Sequence, residues 1–393
     1  MKMRPHILLS VLALAAQLGC SRAEDSGSSV SDDVPVVTTR SLDSLPTARL
    51  GEPVTVLGDA GVPLGGVVGA GRLSDGRLVV ADGGNSVLHW FAADGRLVGS
   101  FGGPGDGPTE FRTIQAMGVL AGDTVWVYDF AHQRVTFVSP DRSASRVTSL
   151  RPRLGSGLAV GILSDGTILA AESWSSTGVA GAAQPGLNRE PVAYVSYSRE
   201  GELRDTLTLV PGREVILRLE DGRAVMGSAP LGRSAVHAVA DDRLVVGDQE
   251  ERELREYTVA GRLARVIRWG GADLRVDQRW EEAWRAERLA SVGRGERAEV
   301  ERQLAGTVLP ERRPAFGHLL PGAVGGVWVG DYPMPGAEPA EWVYFDSAGV
   351  ATERLRMPAR FHPLQIGGGW VLGVARDAYD VETVELRRVE TRQ

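Results

Sequence analysis

One lysine, one cysteine and two asparagines stand among 393 residues. The single cysteine, Cys20, excludes an intramolecular disulfide, so strand pairing and packing must hold the fold. Lys2 is the only lysine and all other basic residues are arginine, a bias that reads as codon composition of the source genome. The formal net charge is -7, and no basic stripe or aromatic–basic run occurs; nucleic acid is excluded as a partner on those grounds. No apolar run is long enough to span a bilayer and stay: Ile7 to Ala16 is too short. No nucleophile elbow, phosphate-cradling glycine loop or HExxH helix appears. Gly102 to Gly107 is glycine-rich, but it precedes no helical pattern.

The N-terminus carries an address. Lys2 and Arg4 give a positive start, the apolar run follows, and Gln17-Leu18-Gly19-Cys20 closes it. This segment, 1–20, resembles a bacterial lipoprotein signal, which would make Cys20 the lipidated N-terminus of the mature chain. Gln17 departs from that pattern, where an aliphatic residue is usual; a plain secretory signal cut near Ala23 is the alternative. Residues 21–34 are rich in Ser, Asp and Glu and predict a flexible tether.

Beyond the tether a strand-turn-strand unit recurs six times. The first copy runs Leu73 to Asp82, Val87 to Phe91 and Arg96 to Phe101. The others begin at Leu120, Leu163, Val239, Gly322 and Gln365. Four short strands per repeat predict propeller blades, and hence an all-β, six-bladed β-propeller over 35–393. The sixth repeat offers three strands, and Val36 to Thr39, a β-branched run after Pro35, is expected to supply its outer fourth.

The turns within repeats are tight, as in Ser74-Asp75-Gly76 and Ser164-Asp165-Gly166. The long insertions, Gly102 to Arg112, Ser173 to Pro191, Gly270 to Arg313 and Tyr332 to Ala340, all fall in connections at one end of the blades. That end is the expected functional face. The largest is expected to be helical over about 277–305, between repeats four and five: Asp277 is a good N-cap, and Gly293 and Gly295 split two helical stretches. Trp280 and Trp284, one turn apart, either dock this insertion or form a lid over the channel mouth.

"Gly-Arg-Leu-Val-Val-Ala-Asp" at 76–82, Gly83-Gly84-Asn85-Ser86, a strand ending in Asp94-Gly95 and the glycine-proline stretch 102–111 resemble the NHL-type six-bladed propellers. The resemblance implies a fold and a binding-platform habit rather than a reaction. Some such propellers are amidating lyases with a zinc in the channel. His237, His318 and His362, in or at the start of innermost strands, are therefore candidate ligands of a metal-dependent hydrolase or lyase. Lactonase-type propellers hold calcium with asparagine among the ligands, and here Asn85 and Asn188 both fall in loops. Five second strands end in an acid, Asp82, Asp129, Glu172, Asp248 and Asp331, read as caps of the following turn with a calcium or basic-ligand ring as the sharper reading. Arg112, Gln115, Arg153 and Arg360 lie near inner-strand starts and suit an anion or glycan. The leading expectation is an envelope-anchored platform for a protein, peptide or glycan, touching the membrane only through its lipid, with no cofactor required.

Overall fold

The computed structural model describes residues 34–58, 61–174, 185–220, 223–290, 292–293, 295–336 and 340–391. The signal-like segment, Cys20 and all but the last residue of the expected tether lie outside the described residues, as does the middle of the Ser173–Pro191 insertion. From Pro35 onward the chain folds as one unit.

Two strands come first, β1 (Val36–Thr39) and β2 (Thr47–Leu57). Repeat one is β3–β6 (Val67–Arg72, Leu78–Asp82, Val87–Phe91, Leu97–Gly102) and repeat two is β7–β10 (Ile114–Val119, Val125–Asp129, Arg134–Val138, Ala144–Ser149). Repeat three is β11–β15 (Gly155–Ile162, Ile168–Trp174, Gly186–Tyr197, Leu203–Glu220, Arg223–Ser228). Repeat four is β16–β19 (Val236–Ala240, Arg243–Gly247, Glu253–Tyr257, Leu263–Trp269), followed by helices α1 (Gln278–Ala290) and α2 (Arg297–Ala305). Repeat five is β20–β23 (Leu319–Pro321, Val327–Gly330, Glu341–Phe345, Ala351–Arg356), and β24–β26 (Phe361–Gly367, Trp370–Arg376, Glu382–Thr391) close the order.

Within each repeat consecutive strands pair antiparallel. The first strands β3, β7, β11, β16, β20 and β24 neighbour one another in that cyclic order, and β24 returns to β3. Sheets set radially around a central channel make this a β-propeller. The second strands are covered on both sides by adjacent sheets, so Leu78–Asp82 and Val125–Asp129 are buried at every residue and read as continuous apolar runs capped by an acid. The core lies between sheets: Trp90, Phe111, Ile114 and Val127 fill the space between repeats one and two, and Phe316, Val329 and Phe345 join repeats four and five. Each such side chain contributes about 1.5–3 kcal/mol on burial.

Two expectations need correction. β1 does not complete repeat six; it pairs in parallel with β19, the outer strand of repeat four, from Val36↔Val266 to Thr39↔Trp269. The outer partner of β26 is β2, antiparallel from Ala48↔Thr391 to Leu57↔Val384, and its first residues also pair in parallel with β23. Glu52-Pro53 disguises β2 as a break in the sequence. Pro53 sits at a register shift, where its missing N–H costs no ladder bond. Nor is the insertion of repeat three a loop throughout. Gly186–Pro191 extends β13, pairs with an extended β14 and is backed by β15, giving a three-stranded ribbon beyond the core of the sheet. Pro211-Gly212 looks like a turn signal; it lies at a bulge, with Pro211 opposite Pro191.

Candidate functional site

The inner strands enclose a channel of 480 Å³ lined mainly by Gly, Ala, Val and Leu, with Gln115, His237, His362 and Gln365 as its polar members. Gln365 is engaged: its Oε1 accepts the Arg72 N–H at 2.8 Å. His237 meets Tyr194 edge-on, Nδ1 to hydroxyl 3.1 Å, and burial pushes it down to about 4. His318 and His362 come together, rings 5.2 Å apart and edge-to-face. Burial, then His318 and Arg376, take His362 down to about 4. The structure thus pairs two of the three histidines and gives the third a tyrosine. Among the described residues no three His, Cys, Asp or Glu side chains lie close enough to hold a metal ion.

The basic residues near the inner-strand starts are engaged. Arg112 forms a bidentate pair with Asp106, Nη2 to Oδ2 2.6 Å. Arg153 donates from Nη2 to Thr206 at 2.8 Å, and Arg360 pairs with Asp380 and reaches the Arg376 carbonyl at 3.1 Å.

The five acids divide. Asp82 accepts the Asn85 backbone N–H at 3.0 Å and its side-chain amide at 2.8 Å, capping its own turn. Asp129 and Glu172 reach instead to the segment entering the first strand of their repeat. Asp129 takes the N–H groups of Arg112 and Thr113, each at 3.1 Å, and Glu172 that of Arg153 at 3.0 Å. His132 bridges Asp129 (2.5 Å) and Asp106 (2.8 Å), and those two carboxylates raise its pKa. Asp82, Asp129 and Glu172 are fully buried. Asp248 is half-buried and caps Glu250 N–H at 3.0 Å. Asp331 breaks the series: it is exposed and its side chain makes no hydrogen bond or ion pair among the described residues. Pro333, two residues on, has no N–H to give, so the kind of cap that Asp248 makes cannot form here.

Asp331 lines a cavity of 570 Å³ between repeats four and five, roofed by residues 40–43 and bounded by Arg252, Trp269, Gly270, Gly271, Arg313, Tyr332, Glu341 and Arg354. Desolvation by the surrounding protein, then Glu341, raise the Asp331 pKa, against the pull of Arg252, Arg313 and Arg354. Arg252 spends one donor, Nη2 to the Ala272 carbonyl at 2.7 Å. Arg313 is 9% exposed, stacks on Trp280 at 4.5 Å, and its Nε has no partner among the described residues. The same holds of Arg354 Nε among the described residues. Glu341 is shared by Arg354 at 3.7 Å and Arg356. Sequence reasoning missed Arg252, Arg313 and Asp331 as a set; the proline two residues after an otherwise capping acid was the available signal.

Trp280 and Trp284 dock the helices. They are buried with Leu231, Leu304, Val300, Tyr332 and Met334, and Trp280 stacks on Tyr332. Asp277 caps α1, accepting the N–H of Arg279 and Trp280 at 3.1 and 3.2 Å. Between α1, α2 and the ribbon of repeat three lies a cleft of 810 Å³, with Ile216, Val225, Arg288, Val300 and Gln303 on its walls.

No protein-family model and no curated protein matches the chain. Solved structures similar to it include a candidate exported protein of Bacteroides fragilis (12% identity, 92% of this chain and 100% of that one, TM-score 0.47). A member of the DUF4221 family from Bacteroides vulgatus is similar at 9% identity over 84% and 93% of the two chains, TM-score 0.48. A virginiamycin B lyase from Staphylococcus aureus, solved with quinupristin, is similar at 11% identity over 82% and 84%, TM-score 0.39. Likeness at this level carries no function across.

Proposed function

We propose that this protein is an exported, lipid-anchored, six-bladed propeller of NHL type that acts as a binding platform at the cell envelope. It would hold a protein, peptide or glycan on the face that carries the insertions. The observation that carries this reading is the packing of separate insertions against one another. The helical insertion shares one apolar cluster with Leu231, beside the ribbon of repeat three, and with Tyr332 and Met334 of repeat five. Its helices wall a cleft with that ribbon. A rigid ring with its elaborations gathered at one end is the usual arrangement of a recognition surface. The cyclic order of the inner strands supports the count of six, and the lone Cys20 after an apolar run supports the anchor.

The test is binding to peptide and glycan arrays by the chain from Ser21 onward, beside a form with residues 277–305 replaced by a short glycine-serine link. Signals that vanish with the helices support the platform; equal signals from both forms overturn it. Cys20→Ser, followed by membrane fractionation, tests the anchor: the variant should leave the membrane fraction. The contact of His318 with His362 favours a second reading, a metal-dependent hydrolase or lyase in the channel. Stoichiometric zinc or calcium in protein purified without a metal-binding tag would move that reading ahead.

A further inference from the structure

We propose that the cavity between repeats four and five binds a free α-amino acid, its ammonium on Asp331 and its carboxylate on Arg252 backed by Arg313. The site is independent of the platform reading, since its occupant is a small molecule and its walls are strand ends and connecting segments outside the two helices.

The charges make the case. Asp331 feels Arg252, Arg313 and Arg354, yet forms an ion pair with none of them. A carboxylate and its guanidinium neighbours are thus held apart across a cavity, although closing the gap would satisfy both. A bare anion would leave Asp331 facing it unpaired, and a bare cation would face the arginines. A ligand carrying both signs on adjacent atoms leaves neither uncompensated. Glu341 is already committed to Arg354 and Arg356, and Asp43 accepts the Ser41 hydroxyl at 3.0 Å, so Asp331 is the acid available to an ammonium group. Arg252 has used one of its donors, and the planar fork of arginine suits a carboxylate. Arg313, almost wholly buried, has an Nε that no group among the described residues satisfies.

Shape agrees with charge. The volume of 570 Å³ falls within the roughly 300–1,000 Å³ of small-molecule sites. Arg252 needs a bare backbone beside it: a Cβ on Gly271 would lie 2.5 Å from the Arg252 Nε. The roof, residues 40–43, leads through the turn closed by Leu45 N–H on the Leu42 carbonyl into β2, so the ligand would touch the segment that clasps the ring.

Titration calorimetry on the chain from Ser21 onward tests this, with glycine, L-leucine, L-glutamate, N-acetyl-leucine, leucine amide and inorganic phosphate as probes. Free amino acids should bind. Blocking either end, or substituting Asp331→Asn or Arg252→Gln, should weaken binding about tenfold to a hundredfold, the effect of losing one charged hydrogen-bond partner. Asp331 supports no other residue, so D331N should fold, and near-ultraviolet circular dichroism checks that. Absence of binding by any free amino acid, equal binding of the blocked forms or of phosphate, or unchanged binding by D331N each overturns the proposal. Array binding that depends on the helices is unaffected by any of these results.

Discussion

Repeats two and five place an acid at the same point, the end of the second strand, and use it in opposite ways. Asp129 is fully buried and accepts two backbone N–H groups and a histidine. Asp331 stands exposed in a cavity, and its side chain accepts no hydrogen bond among the described residues. The first is part of the frame, because burying a carboxylate is tolerable only when hydrogen bonds replace water. The second costs the fold something and gives it nothing in return. In a repeat protein a recurring residue is best explained by structure, and the copy that has lost its structural partners is where function should be sought.

The largest effect that could break this comparison is on stability. Asp129→Ala takes away the acceptor of the Arg112 and Thr113 N–H groups and the partner of His132, and should cost about 3–5 kcal/mol in denaturant melts. Asp331→Ala should cost nothing; equal losses would end the distinction. Next, Trp280→Ala should cost about 3 kcal/mol, since the ring is buried under Arg313 and against Tyr332. Protease cuts appearing within 270–313 would locate the damage there.

A smaller effect sharpens the contrast through pH. His132 has a folded pKa above its ordinary value, so its contribution is fully present below pH 6.5 and is lost as pH rises through the raised pKa. His132→Gln should therefore lower the melting temperature at pH 6 and much less at pH 9. His237 and His362 have the opposite sign. Their folded pKa values of about 4 mean that stability falls as pH drops from 6.5 towards 4. His237→Gln should flatten that fall.

The smallest effect is a gain. The Asp331 pKa is raised, so its charge penalises the fold above that pKa and not below 3.8. Asp331→Asn should raise the stability slightly at pH 7, by well under about 1 kcal/mol in denaturant melts, and leave it unchanged in strong acid.

The propeller was legible because its second strands repeat a buried apolar run with an acid after it, a pattern set by burial on both faces. The closing strand was not. β2 contains Glu52-Pro53, which local chemistry reads as a break, and only long-range pairing with β26 makes it a strand. Val36–Thr39 has the better propensity and takes a lesser position, in parallel on β19. The ribbon of repeat three was hidden for the same reason, by Pro211-Gly212 at a bulge. For the candidate site, Trp280 and Trp284 were legible as docking residues by their spacing. The cavity was not, because Arg252, Arg313 and Asp331 are far apart in sequence and meet only when repeats four and five pack.

The placement of β1 and β2 also determines how the molecule bears load and when it can finish folding. A pull on the chain ahead of Pro35 reaches the four backbone pairings of β1 with β19 first. These must slide apart before tension is felt at β2, which links repeats five and six. During synthesis the order is reversed in time. β2 is made early, and its pairings wait for strands made much later, first β23 and then β26, whose arrival locks the ring.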